Sequence, residues 1–296
     1  MTRVLPAPEE FEQLTPRPGS PVWRAANDVR LLAASGYATL LQVAQPTVGA
    51  GVHDYSSFVK DPWGRLLRTL DYVNGTIYGG PALAGEIGAR VRGIHKTIKG
   101  THPDGTRYNA MEPDAFAWVH ATLADAVTRG HRHFIKPMTW VEKEAYWAEW
   151  RPVGRLVGVR MNDLPDTWAG FLRYFDRTVR DDLVDTPAVH EVLALLDAPI
   201  PPFVKLDRRL WWLAHKPAGY NLRLATIGLM PAVLRERLGL PWSPRDETAF
   251  RLMGAASRAS GPLLPKRLKE FGPGYVQWRR KQLLRGDVAS RTPVAA

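Results

Sequence analysis

Asp61-Pro62-Trp63-Gly64-Arg65-Leu66-Leu67-Arg68-Thr69 reads as the start of a helix. An Asp side chain caps free backbone N–H groups, and Pro suits the first helical position. The pattern predicts a helix over 62–78, a Gly79-Gly80-Pro81 turn and a second helix over 81–98 that Gly100 ends. On the first helix Arg65 and Thr69 stand one turn apart on one face, with Arg68 beside them and Tyr72 above Arg68. Two guanidinium groups and a hydroxyl on one stripe make a candidate clamp for an anion or a polarised oxygen. The second helix carries Leu83, Ile87, Val91, Ile94, His95 and Ile98 along one apolar stripe. An imidazole there needs a partner. Two readings stay open: a core histidine bonded to a carbonyl, or an axial ligand to a haem iron. Antiparallel helices joined by a short turn pack side by side, so the clamp and His95 can border one cavity.

Outward from this pair the 3.6-residue period continues. Helices are expected over 28–42, with an interruption near Gly36 and a stop at 46–51, and over 113–129, with Phe116, Val119, His120, Leu123 and Val127 inward. Further helices fit 140–150, 168–179, 187–196, 206–215, 222–238, 244–260 and 264–284. Alternating strand patterns are scarce, and residues 101–111, with Pro103-Asp104-Gly105, read as a polar turn. The expectation is an all-α fold in one large helical domain over 20–265, preceded by an irregular arm (1–19) and followed by a basic segment (266–296).

The chain has 296 residues, 45% apolar, with eleven Trp, enough for a large interior and an apolar pocket. Cysteine is absent, which removes disulfides, iron–sulfur clusters, thiolate-bound haem and Cys-based zinc sites. Any metal must use the eight His or carboxylates. His120 is a second candidate iron ligand or a partner of the first, and His131 and His133 are read as loop residues. Glu142, Glu144 and Glu149 are read as solvated charges. No run of about 18 apolar residues occurs and no apolar leader opens the chain, so a soluble, cytoplasmic protein without a transmembrane anchor is expected. The net charge of +11 is spread among scattered Arg, except for the dense set at Lys266, Arg267, Lys269, Arg279, Arg280, Lys281 and Arg285. That set is read as a solvated surface, with no nucleic acid expected. HExxH, Walker, GxGxxG and GxSxG motifs are all missing.

An ordered series of residues is more specific than any of these features. It runs Trp23-Arg24, Asp28, Leu41-Gln42-Val43-Ala44-Gln45-Pro46, Gly51-Val52, Ser56-Ser57-Phe58, the 61–69 stretch, Tyr78-Gly79, His95 and Trp118-Val119-His120-Ala121-Thr122-Leu123. Over roughly 20–260 this series resembles the catalytic domain of MpaB-type and rubber oxygenases (latex-clearing proteins). The resemblance implies an all-α, globin-reminiscent fold holding haem b (iron protoporphyrin IX), with His95 as proximal ligand and Arg65 and Thr69 as the distal pair. Where rubber oxygenases place a Lys directly before that Thr, this chain has Arg68. A guanidinium stays protonated and is a poor iron ligand, which leaves the sixth position to water or empty. The family's usual Gln/His-Pro and His-Ser pairs appear here as Gln45-Pro46 and Tyr55-Ser56, the second with Tyr in place of His.

The activity expected on this basis is oxidation of an apolar small molecule by O2, at a carbon–carbon double bond, with Asp54 as an acid/base helper and with reducing electrons either supplied by an external donor or not needed. Peroxide-driven oxygenation or oxidative coupling is the alternative within the same chemistry. A haem carrier or gas sensor is the alternative outside catalysis.

Overall fold

The computed structural model describes residues 6–55, 62–102, 104–196 and 208–285. The first half comprises α1 (Phe11–Leu14), α2 (Pro21–Ala25), α3 (Ser35–Val43), α4 (Pro46–Tyr55), α5 (Pro62–Tyr78), α6 (Pro81–His95) and α7 (Pro113–Phe134). The second comprises α8 (Trp140–Val153), α9 (Trp168–Asp181), α10 (Pro187–Leu195), α11 (Arg208–Gly228), α12 (Ala232–Arg237), α13 (Pro244–Ser260), α14 (Lys266–Lys269) and α15 (Phe271–Arg285). One antiparallel hairpin, β1 (Lys99–Thr101) with β2 (Arg107–Asn109), is the sheet among the described residues. The fold is all-α.

Helix α7 runs through the middle, packed by α3, α8, α13 and the 3-10 helix Val29–Ala34. Its small residues, Ala117, Ala121 and Ala124, let neighbours approach, and Trp118 fills the space between. Three of the buried tryptophans keep their polar edge bonded, as an apolar interior requires. Trp118 donates to the Leu41 carbonyl at 2.8 Å, Trp147 to that of Pro165 at 2.9 Å and Trp150 to that of His120 at 3.1 Å. Asp125, also buried, accepts from the Tyr37 hydroxyl at 2.6 Å and from Arg129 Nε at 2.7 Å, which ties α3 to α7.

Helices α5 and α6 pack against each other as the short turn between them demands, and α5 also carries α15. Helix α6 lies on the 3-10 helix Gly154–Val157, and Gly88 makes that approach possible: a Cβ there would overlap the Leu156 carbonyl. Gly75 and Gly79 of this region are likewise close-packed, against Ile87 and Leu83.

Several elements differ from the sequence reading. Pro46 starts a helix instead of ending one, because its missing N–H costs nothing at the first position. Gly36 sits inside α3 against Thr226; the break falls at Ser35, where 3-10 geometry becomes α. The 101–111 turn belongs to a hairpin, with the Asp104-Gly105 tip capped by Asp104 accepting from the Thr106 N–H at 2.9 Å. Helix α7 extends to Phe134, so His131 and His133 are helical. The two helices expected over 206–215 and 222–238 are the long α11 and the short α12. The 264–284 helix breaks at Glu270 into α14 and α15. Within the N-terminal arm, Phe11 opens a short helix and lies against Gly85 of α6. Helix α5 spans Pro62–Tyr78 as expected; the cap at Asp61 and the Ser56-Ser57-Phe58 motif lie outside the described residues.

Candidate functional site

His95 is the last residue of α6. Its Nδ1 lies 2.7 Å from the Val91 carbonyl, one turn back. A carbonyl only accepts, so Nδ1 carries the proton and Nε2 keeps the lone pair. No hydrogen-bond partner for Nε2 occurs among the described residues. The ring packs against Phe116 at 5.2 Å between centroids. Burial, and then the Arg65 charge, hold the imidazole below its ordinary pKa, so it is neutral at pH 7. Neutral, oriented through Nδ1–H and open at Nε2, His95 is arranged as metal-ligating histidines are.

Arg65 faces this histidine from α5, close enough to shift its titration. Its guanidinium is pushed down to about 10 by burial and by the charge of Arg68, and so stays protonated at neutral pH. Thr69 is exposed and donates its hydroxyl to the Arg65 carbonyl at 3.1 Å, the intrahelical bond that competes with any role toward a ligand. Tyr72, half-buried, has its phenol pushed up by burial and packs on the core. The structure therefore brings Arg65, Arg68 and His95 into one electrostatic neighbourhood.

Asp54, at the end of α4, accepts the hydroxyl of the buried Tyr108 on β2. Tyr55 beside it donates to the Lys99 carbonyl at 2.6 Å, so this end of α4 is fastened to the hairpin that follows His95. His120 lies in the core, 1% exposed. Its Nε2 donates to the Trp150 carbonyl at 2.9 Å, and Trp150 stacks on its face at 4.5 Å and 8°. Burial pushes its pKa down to about 4. His131 bonds the Ala25 carbonyl at 2.8 Å and His133 packs on Phe250 at 5.0 Å; two positions apart on one helix, they face different sides. Glu144 and Glu149 are not solvated charges: Glu144 accepts from the Trp168 N–H at the start of α9, and Glu149 from the Val22 N–H at the start of α2.

Sequence reasoning passed over Arg92. It is 7% exposed, and its Nε and Nη1 lack any hydrogen-bond partner. The guanidinium lies against Gly158, whose φ of +94° favours glycine and whose missing Cβ makes the room. A signal was present: Gly85, Gly88 and Arg92 fall at i, i+3 and i+7, so Arg92 shares the face by which α6 packs. A buried cation with unmet donors, one turn from an open imidazole, fits an anionic group bound beside it. Two open clefts bordered by described residues lie elsewhere, one along Tyr220, Arg223 and Trp242 and one along Trp23 and Lys269; neither is lined by α5 or α6. Among the described residues no cluster of three or more His, Asp or Glu could chelate a metal unaided. A haem needs only one protein ligand.

The site thus joins a neutral histidine at the end of α6 to half-buried arginines on α5 within an all-α fold. Residues 23–259 match the catalytic domain family described as ER-bound oxygenase mpaB/B'/Rubber oxygenase, and the chain belongs to that family of oxygenases. It is also similar to the uncharacterized proteins Mb2261 of Mycobacterium bovis and Rv2237 of Mycobacterium tuberculosis. Each is 23% identical over 243 residues, covering 81% of this chain and 92% of the relative. No solved structure matches the chain. No helix among the described residues is long and apolar enough to cross a membrane.

Proposed function

We propose that this chain is a haem b-dependent oxygenase that uses O2 to oxidise an apolar small molecule at a carbon–carbon double bond. The observation that carries the reading is the His95 ring, its Nδ1–H given to the Val91 carbonyl and its Nε2 unpartnered among the described residues. His95 would hold the iron through Nε2, and the buried, donor-rich Arg92 would receive a carboxylate such as a haem propionate. Bound there, the haem supplies activation of O2, which the protein's own groups cannot perform.

The remaining work falls to the chain. The hydrogen bond at Nδ1 fixes the tautomer and orientation of His95 and makes Nε2 a better donor. Arg65, protonated and desolvated, offers a fixed positive charge to an oxygen that gains electron density, with Arg68 raising the local potential. Thr69 contributes a hydroxyl only by giving up its bond to the Arg65 carbonyl. Asp54, bonded to Tyr108 on the hairpin after His95, is the carboxylate offered for proton transfer. Any reducing electrons that the bound haem would require would come from outside the chain.

An optical spectrum tests this. Purified chain supplied with haem develops a Soret band that His95→Ala abolishes and His120→Ala, if folded, retains. An unchanged band in the His95 variant, or loss only in the His120 variant, overturns the assignment. Oxygen uptake without added peroxide separates O2 from peroxide as oxidant.

A further inference from the structure

We infer that residues 262–269, outside the family-matched region, form a docking surface for an anionic lipid bilayer. After α13 the chain turns and makes the single-turn helix α14. On this short stretch Leu263 is 83% exposed and Leu268 51%. Around them stand Lys266, Arg267 and Lys269, with Glu270, 3.5 Å from Lys266 Nζ, as the one acid between 262 and 285. Single exposed leucines are common on protein surfaces, and a run of cations is usually solvated. The combination is a different pattern. Leucines enter the acyl boundary while ammonium and guanidinium groups stay at anionic headgroups, so each satisfies what the other leaves unmet.

The patch is held on a firm base. The Phe271 N–H donates to the Asn27 carbonyl at 3.1 Å and the Gly272 N–H to Asn27 Oδ1 at 3.0 Å. Beyond them, Arg279 of α15 pairs with Asp71 of α5. The leucines are therefore presented by an anchored turn, and the net charge of +11 adds long-range attraction toward an anionic surface. A polyanion such as duplex DNA would engage the cations and leave both leucines in water, which is why the bilayer is the better fit. This inference goes beyond the proposed chemistry and does not depend on haem; an apolar substrate would partition into the same bilayer.

The test is co-sedimentation of the full chain with extruded vesicles of phosphatidylcholine alone or mixed equally with phosphatidylglycerol. The chain is expected to pellet with the mixed vesicles and stay in solution with pure phosphatidylcholine, with weaker binding as salt rises. Lys266→Gln and Arg267→Gln should each lower the partition coefficient about fivefold. Leu263→Gln with Leu268→Gln should lower it at least about tenfold. These positions are exposed, and an unchanged melting temperature confirms that the variants fold. The proposal is overturned if the wild type ignores mixed vesicles, if it binds pure phosphatidylcholine equally well, or if the variants pellet like the wild type. Retention by duplex DNA in place of vesicles overturns it as well.

Discussion

Replacing Arg279 with Gln should loosen the helix that carries Arg65, and the size of the effect follows from the contact. Arg279 gives Nε and Nη2 to both carboxylate oxygens of Asp71 at 2.9 to 3.0 Å. The guanidinium is 11% exposed and the carboxylate 27%. Breaking a fully buried pair from one side costs about 3–5 kcal/mol, because the remaining charge is stranded. Asp71 is reached by water and keeps the Tyr275 hydroxyl at 2.7 Å, so a loss of about 2 kcal/mol is expected here. In a chain of this size that lowers the melting temperature by about 5 °C. Adding Asp71→Asn removes the stranded charge, and the double variant should regain about 1 kcal/mol of what the two single changes lose together. Urea unfolding followed by tryptophan fluorescence measures these differences. Hydrogen exchange locates them: amides of α5 should exchange faster in Arg279→Gln, and those of α9 should not. A loss below about 0.5 kcal/mol, or additive single changes, would refute the view that α15 clasps α5 through this pair.

Acid should destabilise the chain through His120. Its pKa falls from the ordinary 6.5 to about 4 in the fold, so the folded state binds fewer protons than the unfolded one. The associated stability is fully present above pH 6.5, declines as pH falls toward 4, and totals about 3 kcal/mol. Urea midpoints across that window, beside a His120→Gln variant that lacks this part of the slope, check it. Arg65→Leu should keep the haem band and lower turnover by about 100-fold, as loss of a preorganised positive donor does. Oxygen uptake with any apolar alkene that supports wild-type turnover measures this, and an unchanged rate removes Arg65 from the chemistry.

Helices that announce themselves by local rules were legible in the sequence. Pro62, Pro81, Pro113 and Pro244 each stand at a first helical position, and the apolar period fixes the buried face that follows. Proline misled at 46 because the same residue ends one helix and begins another, and only tertiary packing decides which. Phe134 was missed as the end of α7 because Gly130 resembles a stop. In the structure Leu31 lies over that glycine, which serves packing. Charges were the least legible. Glu149 and Arg279 look like solvated residues on polar faces, yet each bonds a group more than a hundred positions away, which no local period can show.

The contrast between His95 and His120 shows why a pattern of apolar neighbours cannot by itself find a ligand. Both sit on apolar helical faces, and burial lowers the pKa of both. What separates them is which nitrogen the backbone claims. At His95 the bond to Val91 is made inside its own helix by Nδ1, which leaves the outward Nε2 available. At His120 the outward Nε2 is taken by the Trp150 carbonyl of a neighbouring helix, and the Trp150 ring and the close approach of Gly154 close off the space around it. The free lone pair of His120 is then Nδ1, buried in the core without a hydrogen-bond partner, and a planar macrocycle has no room beside a ring 1% exposed and stacked on Trp150. An imidazole can ligate a large prosthetic group only if its distal nitrogen is the unclaimed one. By that criterion His95, and not His120, is the residue whose replacement should abolish the Soret band of the haem-supplied chain.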